Sequence, residues 1–577
     1  MKQRIRIQNH PKTARIYKPV ENVRDLIDHI WEYDDRTALL WNGKTSKDPD
    51  GSMTYREFSE EIVSIAAGID ALGLSGKRIA IIGASSHMWL SAYMGTLAAD
   101  SVAVPMDKEL ATEAIFGFLA SIDAAAIFYD TSMTAVIEQV AEKADFMTHF
   151  ISMQSLSEKA QQDERFYSFE QVRTLGTKNR ENGYTLPPVT DTRKLAEMLF
   201  TSGTTGSSKC VMLCQENIFS VVTSACETVD FSKNDTLLSV LPLHHTYELA
   251  CMMALLNYGA TCAINDSLPR VLANLKKYKP TGLVVVPLYV NTFYKRIMTE
   301  AKKNKKERTL RYGMKASNAL LAFGIDVRKK LFHSVTEAFG GRLQKIICGG
   351  AALNPSLSHV FESFGISIYE GFGITECSPL TNVTPYYARK PGSVGPAVPA
   401  CTVRIVKNGQ LTEDGYAEGE IQIKGKNVML GYYKNEEATR EAFTEDGWFR
   451  TGDIGYMDED KYLYITGRLK SVIVLDNGKN VFPEEIEEYL EKIEEIGECV
   501  VVGRKAEDGT TKLTAIIYPT ADFSANNSHE KMKAYFECEI SKINHSVPTF
   551  KQISFVELRD KEFEKTTTRK IKRHLIQ

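Results

Sequence analysis

The stretch Thr201-Ser-Gly-Thr-Thr-Gly-Ser-Ser-Lys209 brings together hydroxyls, two glycines and a closing cation, a composition suited to handling phosphate. Gly203 and Gly206 let the backbone turn and approach an anion closely. Thr201, Ser202, Thr204, Thr205, Ser207 and Ser208 supply hydroxyl donors, the loop amides add more, and Lys209 brings a point charge. The spacing is not that of the common phosphate loop, which sets glycine directly before the lysine and Ser or Thr directly after it. Here Ser208 precedes the lysine and Cys210 follows it. A surface turn between the apolar runs 195–200 and 210–213 would have the same composition, so the stretch alone is evenly divided between the two readings.

A second constellation is Tyr369-Glu-Gly-Phe-Gly-Ile-Thr-Glu376. Two glycines bracket Phe372, whose face can support a flat heterocycle, and Thr375 and Glu376 offer a hydroxyl and a carboxylate to a phosphate-bound Mg²⁺. One carboxylate is enough, because magnesium keeps waters and substrate oxygens. Gly349-Gly-Ala351 closes an apolar run and would let a ring or phosphate reach the backbone. Asp453, after Gly452, can accept from two adjacent donors. Each of these has an ordinary counterpart: a turn around a core phenylalanine, a packing turn, an exposed turn aspartate. His245 beside Pro242 can equally serve local backbone groups, and the basic tail 565–573 can simply be solvated.

The elements that must position these residues read as alternating strands and helices. Residues 26–71 are helix-rich, with a Thr54/Glu57 capping spacing at a second helix. Arg78-Ile-Ala-Ile-Ile82 is a buried-strand run, followed by a helix over 89–99 and further strands at 102–104, 124–129 and 150–152. That order predicts parallel α/β layers. Strands at 261–264, 283–287, 343–348 and 366–369 repeat the pattern. After 468 the chain predicts a small α+β unit, with Pro483 opening a helix that carries Ile486, Leu490 and Ile493 on one face.

With 577 residues and 43% hydrophobic composition the chain can bury more than one core. A net charge of −3 gives no global basic field, which disfavours nucleic acid as the main partner. No apolar run approaches the roughly twenty residues of a membrane span, and the N-terminus lacks a signal-peptide core, so a cytoplasmic protein is expected. Ten scattered cysteines without a Cys-x-x-Cys pair suit reduced thiols, and Cys210 and Cys214 read as packing thiols. The cationic run 301–308 reads as a solvated segment with at most weak peripheral membrane contact.

Taken in order, the 201–209 stretch, the 369–376 octad, Gly452-Asp453, Thr466-Gly-Arg468 and the tail around Lys570 resemble the signatures of the adenylate-forming superfamily. Its members include acyl- and aryl-CoA synthetases, luciferases and peptide-synthetase adenylation domains. The resemblance runs from about Thr54 to the last residue. It implies an α/β fold in which a large N-terminal domain (1–468) of doubly wound sheets plus a small distorted β-barrel, in 391–433, is joined by a hinge near Lys470 to a small α+β C-terminal domain (469–577). It also implies roles. Thr201, Ser202, Gly203, Thr204, Thr205, Gly206 and Lys209 would hold the outer phosphates of ATP. Gly349, Gly350, Ala351, Glu370, Gly371, Phe372 and Gly373 would face the adenine, and Thr375 and Glu376 the magnesium. Asp453 and Arg468 would contact ribose or phosphate, His245 would shape the acyl and thiol tunnels, Gly478 would approach the thiol, and Lys570 would be the adenylating lysine. Phe372 stands where many relatives have tyrosine, and Arg569 where they have glycine.

Val104-Pro-Met-Asp-Lys-Glu-Leu110, Leu241-Pro-Leu-His-His-Thr-Tyr-Glu248 and Gly324-Ile-Asp-Val-Arg-Lys-Lys330 are most similar to bacterial long-chain fatty acid CoA ligases. The implied reaction joins a fatty acid to coenzyme A through an acyl adenylate, using ATP and Mg²⁺, and leaves room for a homodimer. Alternatives are a carrier-protein or aryl-acid ligase, or a catalytically silent nucleotide- or lipid-binding regulator. The last would be expected to lack Glu376 or Lys570, and both are present.

Overall fold

The first layer of the protein is an eight-stranded sheet built on Arg78–Ile82, whose apolar residues are buried on both faces. The computed structural model of the chain describes residues 5–6, 18–43, 50–201, 209–412, 414–476, 480–506, 509–566 and 571–576. Two compact units result: residues 1–290, 300–402 and 423–449 form the first, and 291–299, 403–422 and 450–577 the second.

In the first unit Arg78–Ile82 pairs in parallel with Val102–Met106 on one side and Ala126–Tyr129 on the other. The helix His87–Ala98 makes the first crossover. Beyond Val102–Met106 lie Leu195–Thr201 and its antiparallel partner Lys209–Cys214, with Gly431–Tyr432 as the outer edge. A second eight-stranded sheet runs in parallel through Thr261–Ile264, Thr236–Ser239, Gly282–Val285, Lys345–Gly349 and Ser367–Phe372. Uninterrupted apolar strands of this kind are what two covered faces require. The doubly wound α/β arrangement expected from the sequence is present.

Residues 26–71 differ in one respect from the helix-rich reading. Helices Val23–Trp31 and Tyr55–Ala71 are there, but Thr37–Trp41 and Gly51–Thr54 form an antiparallel pair at the edge of the second sheet. An apolar run as short as Thr37-Ala-Leu-Leu-Trp41 carries too few periods to separate strand from helix. The predicted capping box is present: Thr54 Oγ1 accepts from the Glu57 amide at 3.2 Å, and Glu57 Oε2 from the Thr54 amide at 2.7 Å.

The second unit contains the three-stranded sheet Ile496–Lys505, Thr511–Pro519 and Ile553–Leu558. Ile486 and Leu490 of helix Pro483–Leu490 are buried against it, with Phe536 and Ile540 of helix His529–Asn544. Phe449–Met457 and Leu463–Arg468 pair antiparallel within a separate four-stranded sheet. Among the described residues, no helix is long and apolar enough to cross a membrane.

Two carboxyls in the first unit are fully buried. Glu197 lies in the strand that leads to the 202–208 segment, and Glu248 in the first turn of helix Thr246–Asn257. Burial pushes both up to about 8, from an ordinary 4.5. The folded state therefore holds more protons than the unfolded chain between these values, and stability falls as pH rises from 4.5 to 8. Each group contributes a slope of about 1.4 kcal/mol per pH unit in that window. Urea denaturation at several pH values should show a flatter slope for Glu248→Gln; an unchanged slope would remove Glu248 from this account.

Candidate active site

Two of the chemical constellations meet at one tyrosine in the first unit. Thr201 and Lys209 are opposed across the antiparallel pair, with Thr201 Oγ1 donating to the Lys209 carbonyl at 3.3 Å. They bracket Ser202, Gly203, Thr204, Thr205 and Gly206, which lie outside the described residues. The Lys209 ammonium sits 4.6 Å from the ring centroid of Tyr432. That tyrosine's hydroxyl donates to Glu376 Oε1 at 2.8 Å. Burial, and then the adjacent Glu376 carboxylate, push the Tyr432 phenol well above its ordinary value, so it remains a donor. Met429 N donates to the Glu376 carbonyl at 2.9 Å and Leu430 N to that of Met212 at 2.9 Å, which sews the octad to the sheet edge.

Tyr432 is the member of this cluster that the sequence alone does not single out. The sequence expectation puts Gly431-Tyr-Tyr433 in the barrel region 391–433, whereas Gly431–Tyr432 pairs with Val211 and Met212 of the first sheet. A two-residue strand has no periodicity to reveal it; the aromatic pair after a glycine was the only signal.

The other expected residues of this unit gather at the carboxyl ends of the second sheet, where open α/β sheets place their ligands. Gly349 and Gly371 are register partners on adjacent parallel strands. Gly350 follows with φ +85° and, like Ala351, is exposed. Phe372 is half-buried and the turn Thr375–Cys377 carries Glu376. Glu370 points elsewhere: its carboxylate accepts from Ser358 Oγ at 2.8 Å and its amide donates to Thr384 Oγ1 at 2.8 Å. His245 stands at the N-cap position of helix Thr246–Asn257, its ring 4.4 Å from that of buried His244. Burial lowers the His244 pKa against the opposing effect of Asp107, whose carboxylate lies 3.7 Å away.

The glycines of the octad differ in what they need. A Cβ on Gly373 would lie 1.4 Å from the Pro379 carbonyl oxygen, so the backbone itself excludes a side chain. A Cβ on Gly371 would meet nothing closer than 3.6 Å. Gly373→Ala is accordingly expected to lower stability by about 2–4 kcal/mol, and Gly371→Ala to change it by less than about 1 kcal/mol. Thermal melting of the two variants checks this; equal melting points would contradict it.

In the second unit Asp453 and Arg468 are also brought together. They face each other across the antiparallel pair, Arg468 Nε donates to Asp453 Oδ1 at 2.7 Å, and the Asp453 side chain is buried. The turn Leu469–Ser471 follows. Gly478, Arg569 and Lys570 lie outside the described residues. The tail's flanking cations are engaged: Lys565 pairs with Glu498 and, at 2.8 Å, with Glu562, while Arg573 pairs with Glu487. An antiparallel bridge joins Lys565 to Ile571, which packs beside Val500, Ile516 and Phe563.

These groups suit magnesium better than zinc. Among the described residues no three His, Cys, Asp or Glu side chains form a metal cluster, so an all-protein cage of the zinc type is absent. Half-exposed Glu376, the residue after Thr375, accepts from Tyr432 through one carboxylate oxygen and keeps the other. One carboxylate fits magnesium, which takes its remaining ligands from water and phosphate. Cys210 and Cys214 behave as packing residues: both are buried, and burial pushes the Cys210 thiol up to about 12.

The model of the AMP-binding enzyme family matches residues 28–433, and that of the AMP-binding enzyme C-terminal domain matches residues 470–577. A long-chain-fatty-acid–CoA ligase of Mycobacterium bovis is 31% identical over 475 residues, spanning 78% of this chain and 75% of that protein. A long-chain-fatty-acid–[acyl-carrier-protein] ligase of Arabidopsis thaliana, chloroplastic, is 26% identical over 592 residues, covering 89% of this chain and 80% of its own. Among solved structures, an anthranilate CoA ligase in complex with anthranoyl-AMP shares the fold with a TM-score of 0.77 at 18% identity, covering 97% of each chain. The family models together span both compact units, and this chain belongs to the AMP-binding enzyme family.

Proposed function

We propose that this protein is an AMP-forming ligase that joins a long-chain fatty acid to coenzyme A. The observation that carries the reading is the Lys209–Tyr432–Glu376 cluster, in which the closing cation of the 201–209 stretch and the carboxylate of the octad flank one ring. Such an arrangement suits a triphosphate whose charge must be met by a cation, hydroxyls and amides on one side and by a metal-bearing carboxylate on the other. The ligase relative that spans 78% of the chain supports the choice of acid and thiol. The enzyme would act in the cytoplasm, where ATP and coenzyme A are at hand.

In the first half-reaction a carboxylate oxygen of the acid attacks the α-phosphorus, the bond to the bridging oxygen breaks, and pyrophosphate leaves with that electron pair. In the second, the thiol sulfur attacks the acyl carbon, the carbon–oxygen bond to AMP breaks, and the thiol proton passes to solvent. No protein nucleophile is needed; the chain positions and neutralises. Residues 201–206 and Lys209 hold the departing phosphates, Gly349, Gly350, Ala351 and Gly371 leave the adenine room at the carboxyl ends of the second sheet's strands, and Phe372 supports its face. Asp453 accepts from the ribose, held in place by Arg468. Thr375 and Glu376 would hold magnesium, which supplies charge neutralisation at the phosphates.

Lys570 stabilises the charge between carboxylate and α-phosphate. A cation held there would obstruct the thiol, so the segment carrying it withdraws after adenylation. The turn at Lys470 is the pivot, and Gly478 then lines the thiol's approach. His245 shapes the space beside the acyl group.

Tyr432 is a positioning residue in this scheme. Tyr432→Phe keeps the ring under Lys209 and loses only the bond to Glu376. It should raise the Mg²⁺ concentration needed for half-maximal rate about three- to tenfold, the size expected for the net worth of one ordinary hydrogen bond. Tyr432→Ala should cost more, and an unchanged Mg²⁺ dependence in both would remove the residue from the scheme.

The reading is tested by measuring acid-dependent AMP release with ATP and Mg²⁺ over fatty acids of graded length and aromatic acids, with coenzyme A or holo carrier protein as acceptor. Long-chain acids with coenzyme A are expected to give the highest kcat/KM. Preference for the carrier protein would favour the alternative carried by the chloroplastic relative, and preference for aromatic acids would overturn the substrate class.

A further inference from the structure

One surface of the first unit has no part in this chemistry. Between positions 302 and 330 the chain carries ten Lys or Arg and two Asp or Glu, against a net charge of −3 for the whole protein. Both acids are engaged, Glu307 by Arg311 at 3.0 Å and Asp326 by Arg328 at 2.8 Å. Among the described residues, Lys303, Lys305, Lys306, Lys315, Lys329 and Lys330 form no ion pair. The helix Glu307–Ala322 is anchored on its inner side, where Ser317 is fully buried and Asn318 donates to Ser363 at 2.8 Å. Its opposite face, at helical spacing, presents Arg308, Tyr312, Lys315, Ala319 and Phe323 to solvent.

The apolar members of that surface are unusually open. Phe323 is 84% exposed, Tyr312 70% and Ile325 53%, and the exposed Leu331 lies beside Gly313 of the same helix. A merely solvated basic helix does not explain a phenylalanine and an isoleucine flanking a glycine at its end. Cations at the start of the helix and an apolar tip at its finish are the two parts of an interfacial anchor, in which aromatic and aliphatic tips enter the acyl boundary while Lys and Arg remain among the headgroups.

We propose that the surface formed by residues 302–331 docks the protein on an anionic lipid bilayer. Charge complementarity selects this occupant: a second copy of the same face would bring two strongly cationic surfaces together, and a soluble polyanion would leave Phe323 and Ile325 in water. An anionic leaflet meets both requirements.

The test is sedimentation with vesicles of phosphatidylcholine containing about one-third phosphatidylglycerol, compared with phosphatidylcholine alone, in the absence of ATP and acid, so the outcome does not depend on the ligase reading. Binding is expected on the anionic vesicles only, falling by about tenfold or more for Phe323→Glu and for the triple change Lys303→Glu, Lys305→Glu and Lys306→Glu. Lys531→Glu with Lys533→Glu, on the helix His529–Asn544 of the other unit, should leave binding unchanged. Phe323→Glu should keep the parent melting point, since its side chain is mostly in solvent. Three results would overturn the proposal: no binding to anionic vesicles, binding lost on charge reversal but untouched by Phe323→Glu, or a dimer that dissociates on Phe323→Glu without any vesicle binding.

Discussion

Lys570→Ala is expected to slow formation of the acyl adenylate by about 10²–10³-fold while leaving thioester formation from supplied acyl adenylate within a few-fold of the parent. The asymmetry follows from where charge develops. In the first step an anionic carboxylate approaches a phosphate, and a cation between them stabilises the transition state more than the separated ground state. In the second step a thiol approaches a mixed anhydride, and a cation held at the same place would be in the way. The choice of Lys570 is helped by its neighbours: Lys565 is tied to Glu498 and Glu562, and Arg573 to Glu487. Lys565→Ala should therefore act mainly on the stability of the tail, leaving Glu498 without its cation. Single-turnover measurement of each half-reaction separates the cases; equal loss of both in Lys570→Ala would contradict the assignment.

Glu376→Gln is expected to lower kcat/KM for ATP by about 10²-fold or more, with an effect on the fold below about 1 kcal/mol. The amide keeps the shape and can still accept from Tyr432, so the structural bond at 2.8 Å is largely retained. What it loses is the negative charge that a phosphate-bound magnesium ion requires of its protein ligand. Titrating Mg²⁺ at saturating acid should show a much weaker metal dependence in the variant. A variant that unfolds at lower temperature yet keeps its Mg²⁺ dependence would make Glu376 a structural residue.

Much of the framework was legible because its signals are local. Arg78–Ile82 announces itself as a doubly covered strand by five consecutive residues, the Thr54/Glu57 box fixes a helix start within four residues, and Ile486 and Leu490 reveal a helix face. What the sequence hid depends on distant partners. The Thr37–Trp41 strand is defined by its neighbours Thr261–Ile264 and Gly51–Thr54, not by its own short pattern. Tyr432 lies 56 positions from Glu376 and reaches it only because a two-residue strand attaches to the first sheet. Glu370 shows the converse limit: the octad marks it as one of a set, but its carboxylate is bound to Ser358. Gly373 belongs to the same motif for a reason internal to the backbone, the approach of Pro379.

In this scheme the chain activates a carboxylic acid by adenylation before any thiol is engaged. Exchange of radiolabelled pyrophosphate into ATP, with Mg²⁺ and a long-chain fatty acid but without coenzyme A, tests it most directly. Exchange that depends strictly on the acid and is lost in Lys570→Ala is the predicted result. Exchange without any acid, or ATP consumption that yields ADP in place of AMP, would contradict the account.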